Sequence, residues 1–205
     1  MAIIIRSGAT TDEQTIDATS KAARVTPYDS AGGYRGIKKT YCASSEAFVA
    51  AVTADVPWFL IEGSATKTLT VTRMCVSGMS LTAIAYLVVA VAKHSTAASG
   101  GTATTLTQVP LDSNDAAGTA GIVKAYTAAP TAGALVGFVA AKRSLAQATT
   151  AAAAGVTEQI EFNFGALEGA HGVVLRGTAQ GLSLQWPVAP ATAVTLAAYV
   201  EWTEE

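Results

Sequence analysis

Few side chains in this sequence are of the kinds that perform chemistry, and those few stand apart from one another. The two histidines, His94 and His171, have no second metal ligand and no nucleophile close to them in sequence. A zinc site needs three or four ligands, and a catalytic histidine needs a nucleophile or carboxylate brought to it. We therefore predict exposed or locally hydrogen-bonded histidines, no catalytic residues, no metal and no cofactor, so that the protein is not an enzyme.

The two cysteines, Cys42 and Cys75, also lack the spacing of metal ligands. A disulfide framework is typical of short chains with more cysteines than this one. We expect both thiols to be reduced and to pack as small hydrophobic side chains.

A turn-like tetrapeptide, Asp112-Ser-Asn-Asp115, resembles half of a calcium-binding loop. A complete loop needs glycine at its sixth position and glutamate at its twelfth, and Ala117 and Val123 stand there instead. We predict an Asx turn, in which an aspartate side chain bonds the backbone two residues on.

One cluster near the start of the chain combines basic and aromatic residues. Its members are Tyr28, Tyr34, Arg35, Lys38, Lys39 and Tyr41. Such a cluster can stack on a nucleic acid or a sugar. It can equally pack against a neighbouring subunit, since tyrosine and arginine are enriched in interfaces. We favour the subunit contact.

Charge and hydropathy narrow the classes of partner. Only 14% of the residues are charged, and 13 basic and 15 acidic residues give a formal net charge of −2. That balance excludes a broad electrostatic nucleic-acid binder. The most apolar run, residues 81–92, is too short to span a bilayer, so no membrane contact is expected. A weakly charged surface loses little solvation on association, which favours self-assembly.

Most of the chain after residue 57 shows the signals of β-strands. Residues 66–76 and 158–164 alternate between two faces, whereas residues 81–93 are apolar on both faces, as in a central strand. Glycine, proline, asparagine or serine separates the segments. About ten short strands with such turns predict an all-β fold, namely an antiparallel β-sandwich or jelly roll. The predicted strands lie at residues 58–62, 66–76, 81–93, 106–111, 120–127, 135–145, 158–164, 172–176, 181–186 and 192–203.

Two local features complete this prediction. Residues 44–52 are expected to form one short helix, because Ser44 or Ser45 can cap it and Glu46 lies in its first turn. Ser77 and Gly78 are expected to form a turn that ends the strand before them.

Residues 1–36 are predicted to form an extended N-terminal arm, and residues 37–205 the β-sandwich domain. The arm begins with an apolar tip, Ile3–Ile5, which either pairs within its own sandwich or seeks a surface on another subunit. We favour the second alternative. The candidate interface residues are Ile3, Ile4, Ile5, Arg6, Tyr28, Tyr34 and Arg35.

Three segments carry a resemblance to a known class of proteins. They are residues 63–78 (GSATKTLTVTRMCVSG), residues 93–130, which include VPLDSND and AYTAAP, and residues 172–205, which include LRGTAQGL and EWTEE. In this order they resemble virion structural proteins of tailed bacteriophages. The resemblance covers about half of the chain, and it implies a non-enzymatic virion component with a sandwich or jelly-roll body.

The leading functional expectation is a capsid decoration, or cement, protein. Such a protein would be assembled in the host cytoplasm, would bind the major capsid protein as a homotrimer, and would gain affinity from several simultaneous contacts. The alternative is a tail or fibre-tip protein that binds the host surface. A glycan-hydrolysing enzyme is disfavoured, because no pair of carboxylates has the required placement.

Overall fold

The computed structural model describes residues 38–148, 159–165 and 171–205, together with two short strands, β1 (Thr15–Ile16) and β2 (Ala23–Arg24). The chain divides into two units, Met1–Lys38 and Lys39–Glu205. In the first unit β1 and β2 pair in antiparallel fashion. The rest of the predicted arm lies outside the described residues.

The described residues of the second unit form thirteen strands. They are β3 (Thr40–Ser44), β4 (Phe48–Ala50), β5 (Pro57–Glu62), β6 (Thr68–Leu81), β7 (Ala85–His94), β8 (Thr102–Thr105), β9 (Val109–Pro110), β10 (Ile122–Ala128), β11 (Leu135–Ala148), β12 (Ile160–Asn163), β13 (Val173–Arg176), β14 (Gly181–Gln185) and β15 (Val194–Glu204). No helix occurs among the described residues, and the predicted all-β class is confirmed.

All thirteen strands belong to one large curled sheet. Its order is β8-β10-β5-β14-β7-β11-β6-β15-β3-β9. Strands β12 and β13 pair with β6 along the edge that β15 leaves free, and β4 pairs with β15 beside β3. Every pairing is antiparallel except that of β11 with β6, so the sheet is mixed.

Alternation along β15 divides its residues between the core and the opposite face. Burial switches at every residue from Val194 to Glu204, as expected for a strand with one face in the core. The core-facing side chains include Val200 and Trp202, which are fully buried. The strand predicted over residues 192–203 is therefore confirmed.

Aromatic pairs fill the core at two places. The rings of Trp58 and Trp186 stack with their centroids 5.0 Å apart, and those of Tyr41 and Trp202 stack at 6.1 Å. Trp186 Nε1 also donates a 2.9 Å hydrogen bond to the Ala51 carbonyl, so its polar edge is satisfied without contact with water.

Strands β5 and β14 are buried on both faces. Both lie in the interior of the sheet order, with β14 between β5 and β7. Continuous apolar runs such as WFLI in β5 are typical of strands covered on both sides.

The predicted helix over residues 44–52 is wrong. Strands β3 and β4 occupy this segment, and both pair with β15. Between them Ser45 bonds Ala198: its N–H donates to the Ala198 carbonyl at 2.8 Å, and its Oγ accepts the Ala198 N–H at 2.8 Å. This long-range pairing outweighs local helix propensity, which is a weak preference.

The predicted turn at Ser77 and Gly78 is also wrong, because β6 continues through both residues to Leu81. Gly78 has a φ of 67°, and the register between β6 and β15 shifts there. A glycine with positive φ allows a β-bulge, in which the strand bends but keeps its pairing.

We expect Ser45→Ala to destabilise the protein by about 1–3 kcal/mol, because it leaves the buried Ala198 N–H without its acceptor. Urea denaturation followed by circular dichroism measures the change. Ser44→Ala is the matched control, since Ser44 is exposed, and it should change stability by less than about 0.5 kcal/mol. Equal stabilities of the two variants would show that the Ser45 bond does not hold β3 and β4 in place.

Candidate interaction surfaces

The seven residues that the sequence suggests as an interface lie outside the described residues. They are Ile3, Ile4, Ile5, Arg6, Tyr28, Tyr34 and Arg35. Of the basic and aromatic cluster to which some of them belong, Lys38, Lys39 and Tyr41 are in the described part. Tyr41 is buried against Trp202, and Lys39 Nζ lies 3.2 Å from Asp115 Oδ1. Tyr41 is therefore a core residue rather than part of a stacking surface.

Four exposed large apolar side chains lie close together along β11. Leu135, Val136, Phe138 and Val139 are each between 43% and 63% exposed. β11 pairs with β7 from Leu135 to Ala146 and with β6 only at its last two residues. No other described strand pairs with its second edge before residue 147, although Lys142 Nζ donates to the Glu161 carbonyl of β12 at 2.6 Å. Exposed apolar side chains therefore adjoin a strand edge that is unpaired among the described residues.

An arginine and a tyrosine extend this surface. Arg143 lies opposite Val88 on β7, and Phe138 lies opposite Ala92. Because cross-strand partners share a face, Arg143, Phe138 and Tyr86 point to the same side. The Arg143 guanidinium lies 4.3 Å from the centroid of the Tyr86 ring, a cation–π contact that holds both groups in place. These six residues, Tyr86, Leu135, Val136, Phe138, Val139 and Arg143, are called the β11 surface below.

A cavity of about 510 Å³ adjoins the Tyr86 end of this surface. It is lined by Leu81, Leu87 and Pro190 among others, and the exposed side chain of Val188 also lines it. Apolar patches larger than a few hundred Å² are rare on monomers and mark interaction sites.

A second cavity, of about 580 Å³, lies between β3 and β4 on one side and β8 and β10 on the other. Hydroxyl groups of serine and threonine line much of it, Glu46 provides a carboxylate, and Phe48 and Leu106 are among its apolar residues. Its volume falls within the range of small-molecule sites.

Both cysteines lie on the face of the sheet that turns away from the core. Cys42 lies opposite Glu201 on one edge of β15, and Cys75 lies opposite Tyr199 on the other. The strand between them separates their Cα atoms by about 9 Å or more. A disulfide needs less than about 7 Å, and both thiols are free, as predicted.

The groups around these thiols suppress reactivity. Burial raises the pKa of Cys75, although nearby Arg73 opposes the rise. Burial also raises the pKa of Cys42, a hydrogen bond with Tyr199 partly offsets that rise, and the charge of Glu201 adds to it. The pKa of Tyr199 is raised by burial and by the Glu201 carboxylate, to which its hydroxyl donates at 3.1 Å. Since the thiolate is the nucleophile, this cluster favours no covalent chemistry.

His94 is buried and hydrogen-bonded at both nitrogens. Its Nε2 lies 2.9 Å from Ser183 Oγ, and its Nδ1 lies 3.1 Å from the Gly133 carbonyl oxygen. The hydroxyl of Ser183 is fully buried, so no substrate reaches this serine–histidine pair. His94 is thus neither exposed nor bonded to residues near it in sequence, contrary to the prediction, and its bond with Ser183 ties β7 to β14. His171 is exposed.

The acidic tetrapeptide forms the predicted Asx turn. Asp112 Oδ1 accepts the Asn114 N–H at 2.9 Å, and the Asp112 carbonyl accepts the Asp115 N–H at 3.0 Å. Within the described ranges no three histidine, cysteine, aspartate or glutamate side chains lie close enough together to hold a metal ion.

Comparison with known proteins gave no match to a family model, to a curated protein or to a solved structure. In the part of the chain that the structure describes, no helix is both long and apolar enough to cross a membrane.

We expect slow alkylation of both cysteines in the folded protein at pH 7, and slower alkylation of buried Cys75 than of half-buried Cys42. Because both thiol pKa values are raised above 9.0, the rates should still be increasing as the pH passes 9. Mass spectrometry after timed treatment with iodoacetamide measures them, and protein in urea provides the unprotected rate. Equal rates for Cys75 in folded and unfolded protein would contradict its burial.

Proposed function

We propose that this protein is a non-enzymatic structural component of a bacteriophage virion, most specifically a capsid decoration protein. It would bind the outer surface of the major capsid protein as a homotrimer and clamp neighbouring capsomers. The observation that carries the proposal is the β11 surface, whose exposed apolar side chains lie beside a strand edge that is unpaired among the described residues up to residue 146. Such a surface suits contact with protein rather than a reaction.

The rest of the described structure supports this proposal by its chemistry. Its most conspicuous nucleophilic groups, Ser183 and Cys75, are buried. A decoration protein contributes contact area rather than a reaction. Repeated contacts of a trimer would strengthen attachment, because each contact after the first is intramolecular.

Two finer parts of the proposal come from the sequence. The sheet would be folded as a sandwich or jelly roll, with the buried faces of its two halves packed on each other. The N-terminal arm, residues 1–36, would anchor the protein to the capsid through Ile3–Ile5, and burial of these three side chains would contribute roughly 4–8 kcal/mol before the cost of ordering.

A second candidate function is host recognition by a tail or fibre-tip protein. The hydroxyl-lined cavity favours it, because serine and threonine hydroxyls with the Glu46 carboxylate can bond a neutral glycan. The cavity offers little aromatic surface for stacking on a sugar ring, since Phe48 is half-buried against the core.

Electron microscopy of particles with and without this protein tests the proposal. We expect densities on the head to disappear when the protein is removed and to return when it is added back. Loss of density from the tail instead would favour the second candidate, and unchanged particles would contradict both.

Attachment to stripped particles should depend little on salt. Between 50 and 500 mM NaCl we expect the dissociation constant to change by less than about threefold, because screening affects charged contacts and spares apolar ones. Sedimentation of particles with bound protein measures it. A steep fall in affinity would indicate an electrostatic attachment that the proposal does not include.

Deletion of residues 1–20 tests the anchoring arm. We expect the truncated protein to unfold at an unchanged temperature and to lose attachment to particles. A large drop in melting temperature would show instead that these residues belong to the core.

A further inference from the structure

A second apolar surface lies around β9, far along the sheet order from β11. Val109, Leu111 and Ile122 are each about half exposed there. Gln108 Nε2 donates to the Gly121 carbonyl, and the Leu106 N–H donates to the Val123 carbonyl at 2.9 Å. These bonds hold the segment before β9 beside the start of β10. With Asp112, the three residues are called the β9 surface.

The two surfaces carry opposite unpaired charges. Arg143 in the β11 surface contacts the Tyr86 ring, and no described carboxylate pairs with it. Asp112 in the β9 surface accepts the Asn114 N–H, and no described cation pairs with it. Its neighbour Asp115, by contrast, is paired with Lys39.

Both surfaces also expose a strand edge. Among the described strands β9 pairs with β3 alone, and β11 pairs with β7 over most of its length. The two-residue strand β9 ends in Pro110, which has no N–H to donate, so the side chains rather than main-chain hydrogen bonds would carry a contact with another molecule.

We propose that the β11 surface of one copy of this chain binds the β9 surface of a second copy, with Arg143 of one facing Asp112 of the other. The contact joins two different surfaces, so it is heterologous, and its repetition gives a closed ring when the rotation between copies divides a full turn and an open filament when it does not. Three copies in a ring would be the homotrimer of the proposed function, and the inference deepens that proposal by assigning its subunit contact.

Charge reversal tests this contact. Arg143→Glu and Asp112→Arg should each raise the dissociation constant of the oligomer by about tenfold or more, because each places like charges together. The double variant should return to within about threefold of the original protein, since it restores an opposite pair. Analytical ultracentrifugation over a concentration series measures all four proteins.

Two further variants keep the result interpretable. Arg176→Glu makes the same charge change at an exposed position on β13 and should leave association unchanged. Val136→Glu places a carboxylate on the apolar part of the β11 surface without touching the Arg143–Tyr86 contact, and it should be monomeric. Circular dichroism confirms that each variant is folded.

The outcomes separate this inference from the virion proposal. A wild-type chain that stays monomeric at tens of micromolar, or a double variant that does not recover, overturns the subunit contact. A chain that associates as proposed but leaves particles bare overturns the virion function and supports the contact. Variants that are monomeric yet still coat particles would support both and show that attachment does not need the ring.

Discussion

The pairing of β15 along both of its edges is the constraint on which the rest of the sheet depends. One edge bonds β6 over most of the length of both strands, and the other bonds β3 and β4. Its core face carries Trp202, which stacks with Tyr41 of β3. Through β6 the same strand is connected to β11, β12 and β13. The register of β11, β12 and β13 therefore depends on β6, and the position of β6 depends in turn on its pairing with β15.

Sequence patterns correctly predicted strands in which the order of apolar and polar residues itself shows which side chains are buried. The alternation over residues 158–164 and the apolar run of β5 each identified a strand correctly. The helix at residues 44–52 could not be excluded in this way, because the bond between Ser45 and Ala198 joins residues 153 positions apart. Gly78 was misread for a related reason: a turn and a bulge both favour glycine, and only the partner strand distinguishes them.

The interaction surfaces could not be predicted from local sequence patterns, because they depend on which strands pair with each other in the sheet. Strands β7 and β11 are both rich in apolar residues, yet β7 is paired on both edges over residues 90–94, whereas β11 pairs with β6 only at its last two residues and exposes its side chains. The extent of pairing, rather than composition, makes that difference. The adjacent Lys142 and Arg143 were the one local sign of an exposed strand, since charges are a common protection of sheet edges. The hydrogen bonding of His94 could not be predicted from nearby residues either, because its hydrogen-bond partner Ser183 is 89 residues away.

The position of β15 has a consequence for the order in which the protein folds. During synthesis β3, β4 and β6 leave the ribosome long before the strand that lies between them. Until Val194–Glu204 has emerged, these strands have no partner on their inner edges. Folding of the sheet therefore has to wait for β15, with high contact order and slow closure. Nascent chains would expose unpaired edges for the whole of that interval, which makes them natural clients of chaperones.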